Sequence, residues 1–210
     1  MTKLTPGTSL KEQKKIVTAW AMYDWANSVF ATSGIVAIFP VYFVYLFEKS
    51  VQSGFSIGSL SLTSSGIWSF GILISTAIVA ITSPLLGILS DRFMIKKALL
   101  IIYTFAGSVF TIFTFFSIYT STPWIWFLGI FILANIGYAG SLVFYNSFLP
   151  YLANKEDLDA VSSKGFALGY IGGGLLLLVH LGLIVTTQGS AIEDLVTRLC
   201  MASIGLWWFG

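Results

Sequence analysis

One carboxylate stands where a carboxylate is expensive. Asp24, in Tyr23-Asp24-Trp25-Ala26-Asn27-Ser28, is the only charge in an apolar run from Val17 to Phe47. On a helix, Asp24, Asn27 and Ser28 stand at i, i+3 and i+4 and share one face. A charge inside a membrane span costs several kcal/mol unless it is paired or hydrated. A face turned toward a water-filled cavity would let Asp24 take up and release a proton, or hold a polar solute. Two plainer roles stay open: pairing with a Lys or Arg of a nearby loop, and a structural bond to a neighbouring helix. His180, the single histidine, also lies deep in an apolar run. It could relay protons, or sit neutral and hydrogen-bonded. It has no second His or Cys close in sequence, and Cys200 is the only cysteine, so neither a metal site nor a disulfide framework is expected.

Further polar side chains share one side of a later apolar run: Asn135, Tyr138 and Ser141, with Tyr145 and Asn146 one to two turns on. They suit either a solute pathway or interhelical bonds, each worth about 0.6 kcal/mol in membranes. Gly165, Gly169 and Gly173 recur every four residues. That spacing makes a smooth stripe along which two helices approach closely. Backbone exposed to a solute is the other reading. No Gly-Lys-Ser/Thr follows, so the stripe is not a phosphate loop.

The elements that must carry these groups follow from composition. Of 210 residues, 56% are hydrophobic and 10% charged, against about 25% charged in soluble domains. Runs exceeding the roughly 20 residues that cross a hydrocarbon layer recur along the chain. The expected architecture is all-α: a tail over 1–16, then a bundle over 17–210 with spans near 17–47, 66–90, 98–119, 123–149 and 164–187. A sixth run, 199–210, is only about 12 residues long and reads as incomplete, which suggests one piece of a longer or split protein. Pro40 is placed to kink the first span. The net charge of +2, without a basic patch interleaved with aromatics, excludes nucleic acid as a partner. Scattered carboxylates and a lone histidine give no catalytic constellation, so an enzyme is not expected.

A charged cluster, Gly87-Ile88-Leu89-Ser90-Asp91-Arg92-Phe93-Met94-Ile95-Lys96-Lys97, joins two uncharged runs, Gly66–Leu89 and Ala98–Ser121. It must lie at a membrane surface. With alternating spans, nine of the eleven Lys and Arg residues fall on its side and only Lys49 and Arg198 on the other. Lys and Arg favour cytoplasmic loops, so this side and the N-terminus are expected to be cytoplasmic.

The cluster's Gly87-x-Leu89-x-Asp91-Arg92-x-x-x-Lys96 resembles the signature between helices two and three of the major facilitator superfamily. Met94 stands where that signature has a second glycine, and Ile95 where a basic residue is common. Tyr23–Ser28, Phe144-Tyr145-Asn146-Ser147-Phe148-Leu149-Pro150-Tyr151-Leu152, Ser162–Gly174 and Trp207-Trp208-Phe209 resemble its vacuole-effluxer-like branch, over the N-terminal six helices of a twelve-helix transporter. The resemblance implies a secondary transporter that works by alternating access and moves a small polar solute, amino acids included, with proton coupling through Asp24. Asp24, Asn27, Tyr145 and Asn146 would line the pathway. Gly87, Asp91, Arg92 and Lys96 would form a cytoplasmic gate against the partner, a C-terminal six-helix half. A half-transporter inactive without that second half is the alternative. No cofactor is implied, and the membrane would be the cell membrane in a bacterium or the vacuolar membrane in a fungus.

Overall fold

The computed structural model of the chain describes residues 10–51, 55–57 and 60–210. The tail expected over 1–16 lies outside the described residues up to position 9. From Leu10 onward it is helical, so the first rod begins seven residues before the apolar run does.

The first rod has three parts: α1 (Leu10–Val29), a π-helical stretch (Phe30–Ile38) and α2 (Phe39–Ser50). Pro40 explains the middle part. It offers no N–H and its ring crowds the carbonyl four residues back. The rod takes up the misfit by widening, and the Phe39 N–H reaches back five residues to the Gly34 carbonyl. The wide turn brings the Phe39 ring over Gly34, where a Cβ would lie 2.5 Å from it. Thr32 adds to the widening by donating to the Ser28 carbonyl at 2.9 Å, which competes with the helix ladder.

A two-stranded hairpin follows, β1 (Phe55–Ile57) and β2 (Leu60–Leu62), with Phe55 opposite Leu62. It lies between the spans expected at 17–47 and 66–90. α3 (Ser64–Arg92) starts where the Thr63 hydroxyl accepts the Gly66 N–H at 3.1 Å, and it runs through Pro84. α4 (Lys96–Phe113) ends in a 3₁₀ turn, Thr114–Tyr119. α5 (Pro123–Ser147) opens on proline, whose missing N–H costs nothing in a first turn. The short α6 (Leu149–Leu152) precedes α7 (Leu158–Thr187), which begins six residues before the expected span.

The last helix departs most from expectation. α8 runs Glu193–Phe209, 17 residues rather than a stub of about 12. Its first turn contains Glu193 and Asp194, which precede the run expected at 199–210. Acids are favourable at a helix N-terminus, and Asp194 is neutralised locally. Arg198 Nε donates to it at 2.9 Å and the Tyr42 hydroxyl at 2.9 Å. At 1.5 Å per residue α8 is roughly 25 Å long.

Among the described residues, five helical rods are long and apolar enough to cross a membrane: Lys11–Ser50, Ser64–Arg92, Lys96–Tyr119, Pro123–Leu152 and Leu158–Thr187. The chain is an all-α, multi-pass membrane protein. Its helices form two consecutive triples, the first rod with α3 and α4, and α5 with α7 and α8, and each helix packs mainly on members of the other triple. α1 packs along α7, α5 lies between α3 and α4, and α4 also packs on α8. Beyond the π stretch the first rod leaves α7, and α2 leans onto α3 and α5. An aromatic core holds that crossing: Phe39, Phe43 and Phe47 of α2 meet Trp68 of α3 and Trp124, Phe127 and Phe131 of α5. Trp68 and Phe131 have ring centroids 4.1 Å apart. Lipid is as apolar as these rings, so packing rather than water exclusion holds them. Only 11% of the apolar window of α3 is buried within the chain, so most of that helix faces lipid or another protein segment.

Candidate functional site

Lys14, Lys15, Arg92, Lys96 and Lys164 gather at one end of the bundle, the basic end. Partway in from it, a cavity of about 270 Å³ opens between α1, α5 and α7. The first rod forms its floor with Trp20, Asp24 and Ser28 of α1 and Thr32 of the π-helical stretch, four residues apart. α5 contributes Tyr138, Leu142, Tyr145 and Asn146, and α7 contributes Ser162, Phe166 and Tyr170.

Local packing explains each wall. Trp20 stacks on Tyr145, with centroids 4.4 Å apart and 6° between planes, and its indole N–H donates to the Tyr145 carbonyl at 3.2 Å. That carbonyl belongs to the last turn of α5, where it also accepts the Phe148 N–H at 3.2 Å. The Tyr23 hydroxyl, 2.8 Å from Thr104 Oγ1, ties α1 to α4. On the other side the small face of α7 lies against α1. A Cβ on Gly165 would stand 2.8 Å from the Trp20 ring, and one on Gly173 2.5 Å from Thr32 Oγ1. A Cβ on Gly169 would meet Ser28 Oγ at 2.5 Å and Asp24 Oδ2 at 3.0 Å. The room for the carboxylate thus exists because position 169 lacks a side chain.

Asp24 is 8% exposed. Among the described residues its carboxylate accepts one long hydrogen bond, from Ser28 Oγ at 3.3 Å. Among the described residues no Lys or Arg pairs with it; Lys96 pairs with Asp91, and Arg198 with Asp194. Lys164, on α7, is engaged outside the cavity by the Thr18 hydroxyl at 2.8 Å. Neither the loop pairing nor the bond to a neighbouring helix considered for Asp24 is present among these residues.

The structure brings Asp24, Tyr145 and Asn146 into one cavity and leaves Asn27 out. Asn27 is 1% exposed, points into the bundle, and has no hydrogen-bond partner among the described residues for either amide atom. Position i+3 lags the turn by about 60° while i+4 leads it by about 40°. A cavity centred on positions 24 and 28 therefore passes Asn27 by. Asn135 lies elsewhere too, where it donates to Ser75 Oγ at 2.7 Å and joins α5 to α3. His180 is buried against α8. Ser203 Oγ donates its proton to the Cys200 carbonyl, so the His180 Nε2, 2.8 Å away, is the donor to Ser203. Trp20, Phe166 and Tyr170 were not singled out from sequence. Trp20 stands four residues before Asp24, and Phe166 and Tyr170 each follow a glycine of the stripe; those spacings were the available signals.

At the basic end, the loop between α3 and α4 forms a second, smaller recess of about 150 Å³, lined by Ser90, Asp91, Lys96, Phe148 and Tyr151 among others. Lys96 pairs with Asp91, and its ammonium lies 5.0 Å from the centre of the Tyr151 ring. Arg92 is exposed, with its guanidinium 5.7 Å from the Phe93 ring centre. Met94 has φ 55°, the left-handed region. The resembled signature has glycine there, and the backbone makes the turn that glycine suits. A Cβ on Gly87 would meet nothing within 4 Å, so packing inside this chain does not demand glycine at that position.

Among the described residues no group of three or more His, Cys, Asp and Glu side chains could hold a metal ion. The site is one buried carboxylate in an aromatic cavity, on helices that must live in lipid. The curated proteins similar to this chain include the uncharacterized MFS-type transporter YxiO of Bacillus subtilis (strain 168), 29% identical over 202 residues. The alignment covers 95% of this chain and 45% of the relative, so the chain spans less than half of that protein's length. No solved structure matches. The vacuole effluxer Atg22-like family matches residues 12–210, which takes in every wall of the cavity and the whole α3–α4 loop. The chain therefore belongs to the vacuole effluxer Atg22-like family, a branch of the major facilitator superfamily.

Proposed function

We propose that the chain forms one half of a secondary transporter and moves a small polar solute by alternating access, with Asp24 as the coupling group. The cavity on Asp24 carries the reading. A nearly buried carboxylate with one long hydrogen bond is unstable in hydrocarbon. It is stabilised by a proton, a solute or water, and each exchange among them is a step of transport. A second six-helix half seated over the open side of the cavity would close it. Rocking of the two halves would then expose the site to each side in turn. The swapped packing of the two helix triples fits the repeat architecture of such halves. The basic end is cytoplasmic in this reading, because it gathers most of the Lys and Arg residues. The Asp91–Lys96 loop would serve as the gate at that face.

The test is uptake into proteoliposomes by the chain together with the half that completes it, driven by an imposed proton gradient and screened over small polar solutes. Asp24→Asn is expected to abolish gradient-driven uptake while insertion and yield stay normal. Undiminished gradient-driven uptake by Asp24→Asn at every pH would remove Asp24 from the coupling role.

A further inference from the structure

Resting on that transport reading, we propose that the Asp24 cavity selects an organic cation: Asp24 is the counter-charge for an ammonium head, and the surrounding rings are its walls. Asp24 is the one charged side chain among the twelve residues lining the cavity; no Lys, Arg or His joins it. A carboxylate offers about four acceptor sites, and this one uses a single bond at 3.3 Å. A second group points the same way. Tyr145 is 3% exposed, lines the cavity, and its hydroxyl has no partner among the described residues. Five of the twelve lining residues are aromatic: Trp20, Tyr138, Tyr145, Phe166 and Tyr170.

Ring faces carry negative quadrupole density and attract cations, most of all in a desolvated site. An ammonium head satisfies the carboxylate, offers contact to the rings and, where it bears N–H groups, donates to the Tyr145 hydroxyl. An anionic solute would meet a like charge with no cation to offset it. A neutral solute could hydrogen-bond but would leave the buried charge uncompensated. A proton alone would neutralise Asp24 and leave the aromatic walls without a role.

The test is calorimetric titration of the assembled transporter, the chain together with the half that completes it, in nanodiscs with three probes of one shape: choline, its neutral isostere 3,3-dimethylbutan-1-ol, and the anion 3,3-dimethylbutanoate. Choline is expected to bind saturably, the alcohol at least about 10-fold more weakly, and the anion not at all. Asp24→Asn should weaken choline at least about 30-fold, the scale for removing one partner of a buried charge pair. It should also erase the difference between choline and the alcohol, while Asp24→Glu keeps it. Tyr170→Leu, at an exposed ring whose loss leaves the bundle packed, should weaken choline about 2- to 5-fold and leave the alcohol unchanged. Binding that ignores charge, binding of the anion, an unchanged affinity in Asp24→Asn, or no binding of any probe would each overturn the inference. All four leave the transport reading intact. Loss of that reading with the charge preference preserved would show instead a cation site without coupled transport.

Discussion

Two glycines five residues apart on α7 should respond to alanine with opposite signs. A Cβ at Gly169 would lie 2.5 Å from Ser28 Oγ, about 0.9 Å inside the 3.4 Å at which ordinary contact begins. It would also lie 3.0 Å from Asp24 Oδ2. Either Ser28 rotates and gives up its bond to Asp24, or α1 and α7 move apart. Overpacking of this kind costs about 1–3 kcal/mol. Alanine returns about 1 kcal/mol of helix propensity, so the net loss is roughly 0–2 kcal/mol. At Gly174 a Cβ meets nothing within 4 Å, and the propensity gain of about 1 kcal/mol stands alone. For a chain of this size 1 kcal/mol moves Tm by about 2–4 °C. Thermal unfolding in detergent should therefore show Gly174→Ala rising by about 2–4 °C and Gly169→Ala holding level or falling by up to about 8 °C. Ser28→Ala removes the colliding hydroxyl, so Gly169→Ala should cost less in that background than in the wild type. Equal shifts for the two alanines, or no coupling between positions 169 and 28, would refute the claim that the bare backbone at 169 makes room for the carboxylate.

Three further outcomes follow from single contacts. Met94→Gly relieves a left-handed backbone that costs an ordinary residue about 1–2 kcal/mol; part of this is lost to the freer unfolded chain, so Tm should rise slightly, whereas Met94→Ile should lower it. Asn135→Ala leaves the Ser75 hydroxyl without its interhelical partner and should cost about 0.6–1.7 kcal/mol in unfolding titrations, with Ser75→Ala adding little on top. Arg198→Met strips Asp194 of its counter-charge and the Phe115 carbonyl of a donor at 3.2 Å. Removing one member of a buried pair costs about 3–5 kcal/mol, but the Asp194 side chain is 34% exposed, so a loss of about 1–3 kcal/mol is expected by the same titration.

The helices were legible because lipid imposes a length and a composition that few soluble segments imitate. The charged loop at Asp91–Lys97 was legible because four charges between two uncharged runs can lie only at a surface. Where charges cancel locally, that logic misleads. Glu193, Asp194 and Arg198 look like loop residues, yet they open α8, because Asp194 pairs with Arg198 one turn away and takes a bond from Tyr42. The π stretch was half legible: Pro40 marked the strain, but the strain is absorbed by widening over the nine residues before Phe39. Asp24 stood out by its cost in an apolar run. Asn27 did not separate from Ser28 by spacing alone, since the difference between i+3 and i+4 matters only once the cavity's direction is known. The aromatic walls were hidden for a different reason: in a chain with 18 Phe, 9 Tyr and 7 Trp, a cavity ring and a lipid-facing ring look the same until the helices are placed.

Solute transport through the Asp24 cavity requires that the cavity hold water rather than lipid. Single cysteines introduced into a Cys200→Ser background, in the assembled transporter in membrane vesicles, measure this with a charged, membrane-impermeant thiol reagent. Rapid labelling of Phe166→Cys and Tyr170→Cys, on the cavity side of α7, is expected, with Leu178→Cys and Val185→Cys on its exposed apolar side unlabelled. Uniform labelling along α7, or protection of positions 166 and 170 together with 178 and 185, would contradict a solute site built on Asp24.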